Sequence, residues 1–313
     1  NQMDLPNTIA FVITARCNLR CKMCFQYGER AQRLGIKGNA LLGKPEELTK
    51  EEIKMVIDKI NKYYPPDKKP NFFITGGEPF IREDMIDIIE YAVSQGNKVI
   101  VNTNFSLVND KVVKKLANIE RLTLLISIDG PRKIHDAIRG VKGTYIKAMK
   151  NLRFLSKKGK ISEVCTTITK YNVGYLVELY KELRRFKVYW FLKHVAWMPE
   201  NFIRLQRKLS KKYFNVDFVV YLPEKVTVPP EKIKVLKTQL KQIQKLSKDD
   251  SVEYKEIARL PDKSFFDQHC RFSCKAMNKI CCGPEVNILP NGDVSFCNGA
   301  GYGLGPIYAN ILN

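Results

Sequence analysis

The sequence has no long apolar run and no secretory leader. A helix that spans a bilayer needs about 20 predominantly apolar residues, and no run of 18 or more occurs here. The first residues, NQMDLPNTIAFVIT, have neither a charged start nor a long apolar core. The two absences argue against a transmembrane segment and predict a cytoplasmic protein.

Acidic residues are few relative to basic ones. The chain has 32 Asp and Glu against 53 Lys and Arg, a formal net charge of +21. Such an excess suits nucleic acid, an anionic membrane surface or an acidic substrate. The charges are spread along the chain, which favours a solvated surface, so nucleic acid is a possible but not the favoured partner. Residues 231–248 illustrate this, with an apolar stripe of Ile233, Leu236, Leu240 and Ile243 and outer positions at Lys237, Lys241, Lys245 and Lys248.

The nine cysteines are unevenly distributed. Eight fall in two clusters, at positions 17–24 and 270–297, and only Cys165 stands apart. In a chain without a secretion signal, such clusters indicate metal sites before disulfides. Cys165 falls in the middle of a predicted strand, where a buried small apolar residue is the default.

Strand-like segments alternate with amphipathic helices as far as Pro199. This alternation predicts right-handed crossovers and a parallel sheet, and six strands suit either a doubly wound sheet or an open, incomplete barrel. In both, ligands bind beyond the carboxyl ends of the strands. The predicted strands are TIAFVIT, NFFIT, KVIVN, LTLLISI, ISEVCTTIT and VYWFLKHV, and the predicted helices span about 49–63, 84–94, 110–117, 144–157 and 173–186.

The alternation fades after residue 199. Residues 200–264 contain basic helical stretches and one short strand, FVVYL, and form a predicted connecting region. From about residue 265 the chain is rich in cysteine and glycine. A small region this poor in apolar residues usually needs a metal to hold it together. Three regions are therefore predicted: 1–199, 200–264 and 265–313.

The first cysteine cluster reads CNLRCKMCF. Thiolates from Cys17, Cys21 and Cys24 suit a cube-shaped iron–sulfur cluster, each binding one corner iron. Three ligands for four irons leave one iron with an open position. A catalytic metal site needs such a position, whereas a structural site closes all of its positions. A structural zinc site would need a fourth ligand nearby, but the nearest histidine is His135, and a redox disulfide would use two cysteines rather than three.

This spacing resembles the signature of the radical S-adenosylmethionine (SAM) superfamily. The resemblance implies a partial (β/α)6 TIM-like barrel, an α/β fold, with a small cysteine-rich C-terminal extension. It also implies that a [4Fe–4S] cluster binds SAM through its open iron and cleaves it to a 5′-deoxyadenosyl radical, which takes hydrogen from a substrate. An external ferredoxin- or flavodoxin-like protein would supply the electron. Phe25 takes the place of an aromatic residue near adenine, or packs in the core.

Further motifs resemble the SAM site of that family. Gly76, Gly77, Glu78 and Pro79 follow a strand and match the motif that binds the amino group of SAM; glycines let backbone approach a ligand. Asn104 matches a ribose contact, although Phe105 replaces the usual glycine. Ser127 and Arg139 match contacts to the SAM carboxylate or ribose. A local hydrogen-bonding role is favoured for His135 and Asp136.

The second cysteine cluster resembles a SPASM or twitch region, which carries an auxiliary cluster. The spacing Cys282-x9-Gly292-x4-Cys297 encloses a hairpin-like turn, PNGDV. The resemblance makes Cys270, Cys274, Cys282 and Cys297 ligands of an auxiliary [4Fe–4S] cluster. Adjacent Cys281 and Cys282 are not both expected to bind it, because neighbouring side chains diverge in extended backbone. A four-cysteine zinc site is the main alternative. A full SPASM domain has further cysteines, so either one auxiliary cluster is present or the rest lies beyond residue 313.

The substrate is predicted from the resemblance alone. Enzymes that combine such domains mostly modify peptides or proteins, which is the leading hypothesis. The alternatives are radical modification of a nucleotide, an RNA, a lipid or another small molecule. A non-catalytic iron–sulfur or zinc protein is the alternative of a different class.

Overall fold

A computed structural model of the chain describes residues 5–24, 47–194, 208, 226–247, 254–255, 286–295 and 309–312. Its strands are β1 Thr8–Val12, β2 Asn71–Thr75, β3 Val99–Thr103, β4 Leu122–Ser127, β5 Ser162–Ile168, β6 Val188–His194, β7 Tyr254–Lys255, β8 Val286–Ile288, β9 Asp293–Ser295 and β10 Ala309–Asn310. Its helices are α1 Lys50–Asn61, α2 Met85–Ser94, α3 Asp110–Asn118, α4 Arg132–Arg139, α5 Thr144–Lys157, α6 Leu176–Leu183 and α7 Ile233–Leu246.

The first six strands lie side by side in chain order. Each pairs in parallel with the next, from β1 to β6. A doubly wound sheet reverses its strand order at a switch point, whereas an open barrel keeps winding in one direction. The unbroken order decides between the two arrangements that the alternation left open and confirms the partial barrel.

Side chains along the later strands alternate between two environments. On β5, Val164 and Thr166 are buried with the helices, whereas Glu163, Cys165 and Thr167 are half-buried on the opposite, inner face. Strand pleating places alternate residues on opposite faces. Cys165 is therefore not the fully buried core residue that its mid-strand position predicted: its place in the alternation puts it on the inner face.

Local sequence explains where α1 begins. Thr49 and Glu52 form a reciprocal capping box: the Glu52 N–H donates to the Thr49 hydroxyl at 3.2 Å, and the Thr49 N–H donates to the Glu52 carboxylate at 2.8 Å. The apolar stripe of the helix is buried, as is most of the stripe predicted for α7. These buried side chains are Ile53, Val56, Ile57 and Ile60 in α1, and Leu236, Leu240 and Ile243 in α7.

Two features differ from the sequence prediction. Helix α4 was not predicted, because its eight residues are too few to show a clear apolar period; it ends at Gly140 in the left-handed conformation that favours glycine, with φ of 77°. Helix α6 is shorter than the predicted 173–186. The predicted strand FVVYL lies outside the described residues. Among the described helices, none is long and apolar enough to cross a bilayer.

The hairpin predicted at PNGDV is present and joins the main sheet. Strands β8 and β9 pair antiparallel, and Gly292 takes a φ of 83° in their turn. Strand β8 also pairs in parallel with β1, through Ile9 and Val286 among others. At the other edge, β7 pairs with β6. Segments of both predicted later regions thus extend the core sheet, and the three-region division itself stays a prediction.

Candidate active site

The loop after β1 carries the three clustered cysteines. Two backbone N–H groups of this loop, from Arg20 and Lys22, donate to the last carbonyls of α4 at 3.2 and 2.8 Å. The Cys24 N–H donates to the Cys21 carbonyl at 2.9 Å and closes a turn. Cys17 and Cys24 are half-buried, and Cys21 is buried. The loop is therefore fixed by its own backbone at the carboxyl end of the sheet.

The Gly76–Pro79 turn is pressed against this loop. The Gly77 N–H donates to the Thr14 carbonyl and the Glu78 N–H to the Arg16 carbonyl, both at 2.8 Å. Gly76 has a φ of 144°, and a Cβ on Gly77 would overlap the Arg16 carbonyl oxygen. Both glycines are thus required by contact between two backbones, and Pro79 begins a short 3-10 turn behind them.

Glu78 ties the turn to the end of β3. Its buried carboxylate accepts hydrogen bonds from the Thr103 hydroxyl at 2.6 Å, the Asn104 N–H at 2.7 Å and the Phe80 N–H at 3.1 Å. Burial raises the pKa of Glu78 to about 7, and these hydrogen bonds act in the opposite direction. The Glu78 side chain therefore links the turn after β2 to the end of β3.

Asn104 connects β3 to the cysteine loop. Its Nδ2 donates to Oδ1 of Asn18 at 2.9 Å, and Nδ2 of Asn18 donates in turn to the Ser106 hydroxyl at 3.0 Å. Sequence reasoning missed Asn18, because an asparagine between two cysteines carries no signal of its own. The predicted ribose contact and the loop thus belong to one hydrogen-bonded group.

Phe105 occupies the position of the usual motif glycine and keeps a glycine-like backbone. Its φ is 58°, in the left-handed region, and its side chain is fully buried next to Phe80, with ring centroids 6.4 Å apart. A non-glycine residue in this conformation is strained by roughly 1–2 kcal/mol. Burial of a large ring outweighs that strain.

Replacing Phe105 tests this balance. We expect Phe105→Ala to lower the free energy of unfolding by about 3–5 kcal/mol. Phe105→Gly should be less destabilising than Phe105→Ala by about 1 kcal/mol, because glycine removes the strain. Denaturant unfolding followed by circular dichroism measures both. A glycine variant less stable than the alanine variant would contradict the role assigned to strain.

The end of β4 and helix α4 supply a buried ion pair. Arg139 Nε lies 2.6 Å from Asp129 Oδ2, and Arg139 Nη1 donates to Cys21 Sγ at 3.7 Å. Ser127, two residues before Asp129, is half-buried at the end of β4 and is paired in register with Cys165. Asp129 was missed as a partner of Arg139, because the two residues are separated by a turn and a helix that was not predicted.

Burial also shifts the pKa values of two of the thiols and of the neighbouring histidine. Burial raises the pKa of Cys17 to about 11 and that of Cys21 to about 12, with Arg139 opposing the rise at Cys21. Burial lowers the pKa of His135 to about 4, so the ring is neutral, and its Nδ1 accepts from the Asp129 N–H at 3.1 Å. Asp136 caps α5 by accepting from Gly143, Thr144 and Tyr145 at 2.7–2.9 Å. Both residues have the local role that was favoured.

The cysteine loop, the Gly76–Pro79 turn, Asn104 and Arg139 therefore form one connected group at the carboxyl ends of β1 to β4, with Ser127 beside it. Phe25 lies outside the described residues, and so do Cys270, Cys274, Cys281, Cys282 and Cys297.

A family profile, described as the radical SAM superfamily, matches residues 11–183, which contain this whole group. The chain belongs to the radical SAM superfamily. The cofactors of this family are a [4Fe–4S] cluster and SAM.

Curated relatives cover about half of the chain. An AdoMet-dependent heme synthase from Oleidesulfovibrio alaskensis is 31% identical over 192 residues, 57% of this chain and 45% of that protein. The mycofactocin maturase MftC from Mycolicibacterium smegmatis is 28% identical over 180 residues, 56% of this chain and 41% of that protein. The chain thus matches less than half the length of these relatives.

Solved structures share the fold over most of the chain. Streptococcus suis SuiB bound to SAM superposes with a TM-score of 0.64 at 14% identity, covering 93% of this chain and 60% of that one. The enzyme anSMEcpe with bound AdoMet gives a TM-score of 0.60 at 14% identity, covering 93% of this chain and 74% of that one. At these identities the likeness shows the radical SAM fold.

Proposed function

We propose that this chain cleaves SAM reductively at a cluster held by Cys17, Cys21 and Cys24, and that the resulting radical modifies a peptide or protein. One observation carries the proposal: the three-cysteine loop is bonded to the Gly76–Pro79 turn on one side and to α4 on the other. When bound, the cluster supplies the electron that splits the sulfur–carbon bond of SAM. The protein's part is to hold and orient the reactants.

The donor set fits an iron–sulfur cluster. Three sulfur atoms on one short loop are soft ligands, suited to iron–sulfur chemistry. Because burial keeps the thiols of Cys17 and Cys21 protonated near neutral pH, binding of iron must release their protons. The sulfur atoms of Cys17 and Cys21 are therefore uncharged before the cluster is assembled.

The SAM contacts are assigned to the surrounding strand ends. Glu78 is already bonded to Thr103 and Asn104, so its contribution is to shape the glycine turn that receives the amino group of SAM. Asn104 and Ser127 are assigned to the ribose and carboxylate side. Arg139 adds the positive charge that a carboxylate requires. Phe25 is assigned to the adenine.

The substrate is assigned to the inner face of the later strands. Phe191 is half-buried there, in register with Cys165 and through it with Ser127, and Glu163 and Tyr189 are half-buried one step nearer the amino ends of the same strands. Two similar proteins support a peptide substrate: MftC, a maturase that shares sequence with this chain, and SuiB, which shares its fold and has been crystallised bound to precursor peptide SuiA. An external ferredoxin- or flavodoxin-like protein is proposed as the electron donor.

The relatives named heme synthases support a second candidate, an iron porphyrin substrate. Aromatic side chains on an inner face suit a flat apolar ring as well as a peptide.

A labelling experiment separates the two candidates. The enzyme is reconstituted without oxygen, reduced, and given SAM with either a deuterated candidate precursor peptide or a deuterated iron porphyrin precursor. Deuterium in 5′-deoxyadenosine, measured by mass spectrometry, identifies the compound that loses hydrogen. Transfer from the porphyrin alone would overturn the peptide assignment. Absence of 5′-deoxyadenosine from the reduced enzyme would overturn the proposed chemistry.

An auxiliary [4Fe–4S] cluster is proposed at Cys270, Cys274, Cys282 and Cys297. The hairpin formed by β8 and β9 lies between the last two of these residues in the sequence and provides the turn at Gly292 that the spacing required. Iron analysis should give about eight irons per chain for two [4Fe–4S] clusters. Four irons together with one zinc would favour the zinc alternative.

A further inference from the structure

A buried ion pair points at one of the three clustered thiols. Asp129 is fully buried, and its Oδ2 lies 2.6 Å from Arg139 Nε. The same guanidinium donates through Nη1 to Cys21 Sγ at 3.7 Å. One guanidinium thus joins a carboxylate to a thiol.

Both members of the pair are held in place by other parts of the barrel. Asp129 Oδ1 accepts from the Thr167 N–H of β5 at 3.0 Å, and the Asp129 carbonyl accepts from Asn172 at 2.7 Å. The Arg139 carbonyl accepts from the Arg20 N–H of the cysteine loop at 3.2 Å. These bonds link β4, β5 and the loop, so the position of the guanidinium is set by the fold.

The three thiols are not equivalent. Cys21 is buried, with 9% of its surface exposed, whereas Cys17 and Cys24 are half-buried and closer to water. A buried anionic sulfur needs a nearby donor or positive charge. Hydrogen bonds to cluster sulfurs and nearby charges are main determinants of the reduction potential of a cluster.

We propose that Arg139, held by Asp129, acts through the Cys21 sulfur as a positioning residue that raises the reduction potential of the cluster. The inference rests on the proposed function, in which Cys21 is a cluster ligand. It gives Arg139 a role in the absence of SAM, beyond the contact with the SAM carboxylate.

The sign of each charge determines whether its removal should raise or lower the reduction potential of the cluster. Reduction adds one negative charge to the cluster, so a guanidinium beside it favours reduction and a carboxylate opposes it. Arg139→Gln should therefore make the cluster harder to reduce, whereas Asp129→Asn should make it easier. An ion pair that merely held α4 against β4 would give no such opposite shifts.

The test is a redox titration of the reconstituted proteins, followed by electron paramagnetic resonance and performed without SAM. At the wild-type midpoint, the ratio of reduced to oxidised cluster should fall about tenfold in Arg139→Gln, which corresponds to ~59 mV for one electron. In Asp129→Asn the ratio should rise. Arg139→Lys should lie between wild type and Arg139→Gln. Equal midpoints, or shifts of one sign in both variants, would overturn the inference.

Control variants and conditions distinguish an effect on the cluster from a loss of stability, from a role toward SAM alone and from a failure of the proposed function. Arg82 is also buried and ion-paired, with Asp84 at 2.7 Å and Glu47 at 3.7 Å, and Arg82→Gln should lower stability but leave the midpoint unchanged. If Arg139→Gln holds no cluster, an unchanged midpoint in Asp129→Asn overturns the inference. A shift that appears only after SAM is added would assign Arg139 to SAM alone. A wild-type protein without a [4Fe–4S] signal would instead contradict the proposed function.

Discussion

A Cys21→Ala variant is expected to hold no SAM-binding cluster and to release no 5′-deoxyadenosine. Removing one of three thiolates leaves two, which cannot hold a cube with a single open iron. The loss of activity should exceed the ~100-fold loss that is typical when a residue hydrogen-bonded to a metal ligand is removed. Cys21 is also the buried thiol that contacts Arg139, so a water molecule cannot easily take its place. Iron content and 5′-deoxyadenosine formation measure the loss.

Cys165→Ala is the matched control for this experiment. It removes a thiol that lies on β5, in register with Ser127 but outside the three-cysteine loop. This variant should retain the cluster and the reductive cleavage of SAM. If the two variants lost cluster and activity equally, the assignment of the cysteine loop would fail.

The second large effect is expected from Gly77→Ala. A Cβ at this position would overlap the Arg16 carbonyl oxygen and lie 2.9 Å from the Ala15 carbonyl oxygen. Both obstacles are backbone, so no side chain can rotate away, and the cysteine loop itself must move. We expect a loss of at least about 3 kcal/mol in the free energy of unfolding, at or above the upper end of ordinary overpacking. Cluster content should fall with it, because the displaced residues directly precede Cys17.

Gly174→Ala provides a matched glycine control. A Cβ there meets no atom within 4 Å, and the backbone is not left-handed. The free energy of unfolding should change by less than about 1 kcal/mol. Denaturant titration compares the two variants, and iron analysis shows whether the cluster is retained. A Gly77→Ala protein as stable and as iron-rich as Gly174→Ala would refute the close packing of the two backbones.

Local patterns in the sequence were sufficient for most of the core. The helix Thr144–Lys157 and the six strands follow from short-range signals, and the structure confirms them. The cysteine spacing likewise predicts a cluster loop, and the structure places that loop at the carboxyl end of the sheet. What these signals share is that each lies within a few consecutive residues.

Contacts between distant residues escaped the sequence analysis. Asp129 and Arg139 pair across an unpredicted helix, and Asn18 bonds to Asn104 from a different strand end. No local pattern encodes these pairings, because they depend on which strand ends meet in the folded barrel. The half-buried position of Cys165 has the same origin, since it depends on which face of β5 the helices cover.

The pairing of β8 with β1 has a consequence for how the chain folds. Ile9 meets Val286, so the outer edge of β1 finds its partner only after residue 286 has been synthesised. Until then, an apolar strand with unpaired backbone groups stands at the edge of the sheet and can associate with other chains. Contacts this far apart in sequence also slow folding. Truncation before residue 286 should therefore promote aggregation even though the cysteine loop and the six-stranded barrel remain intact in sequence.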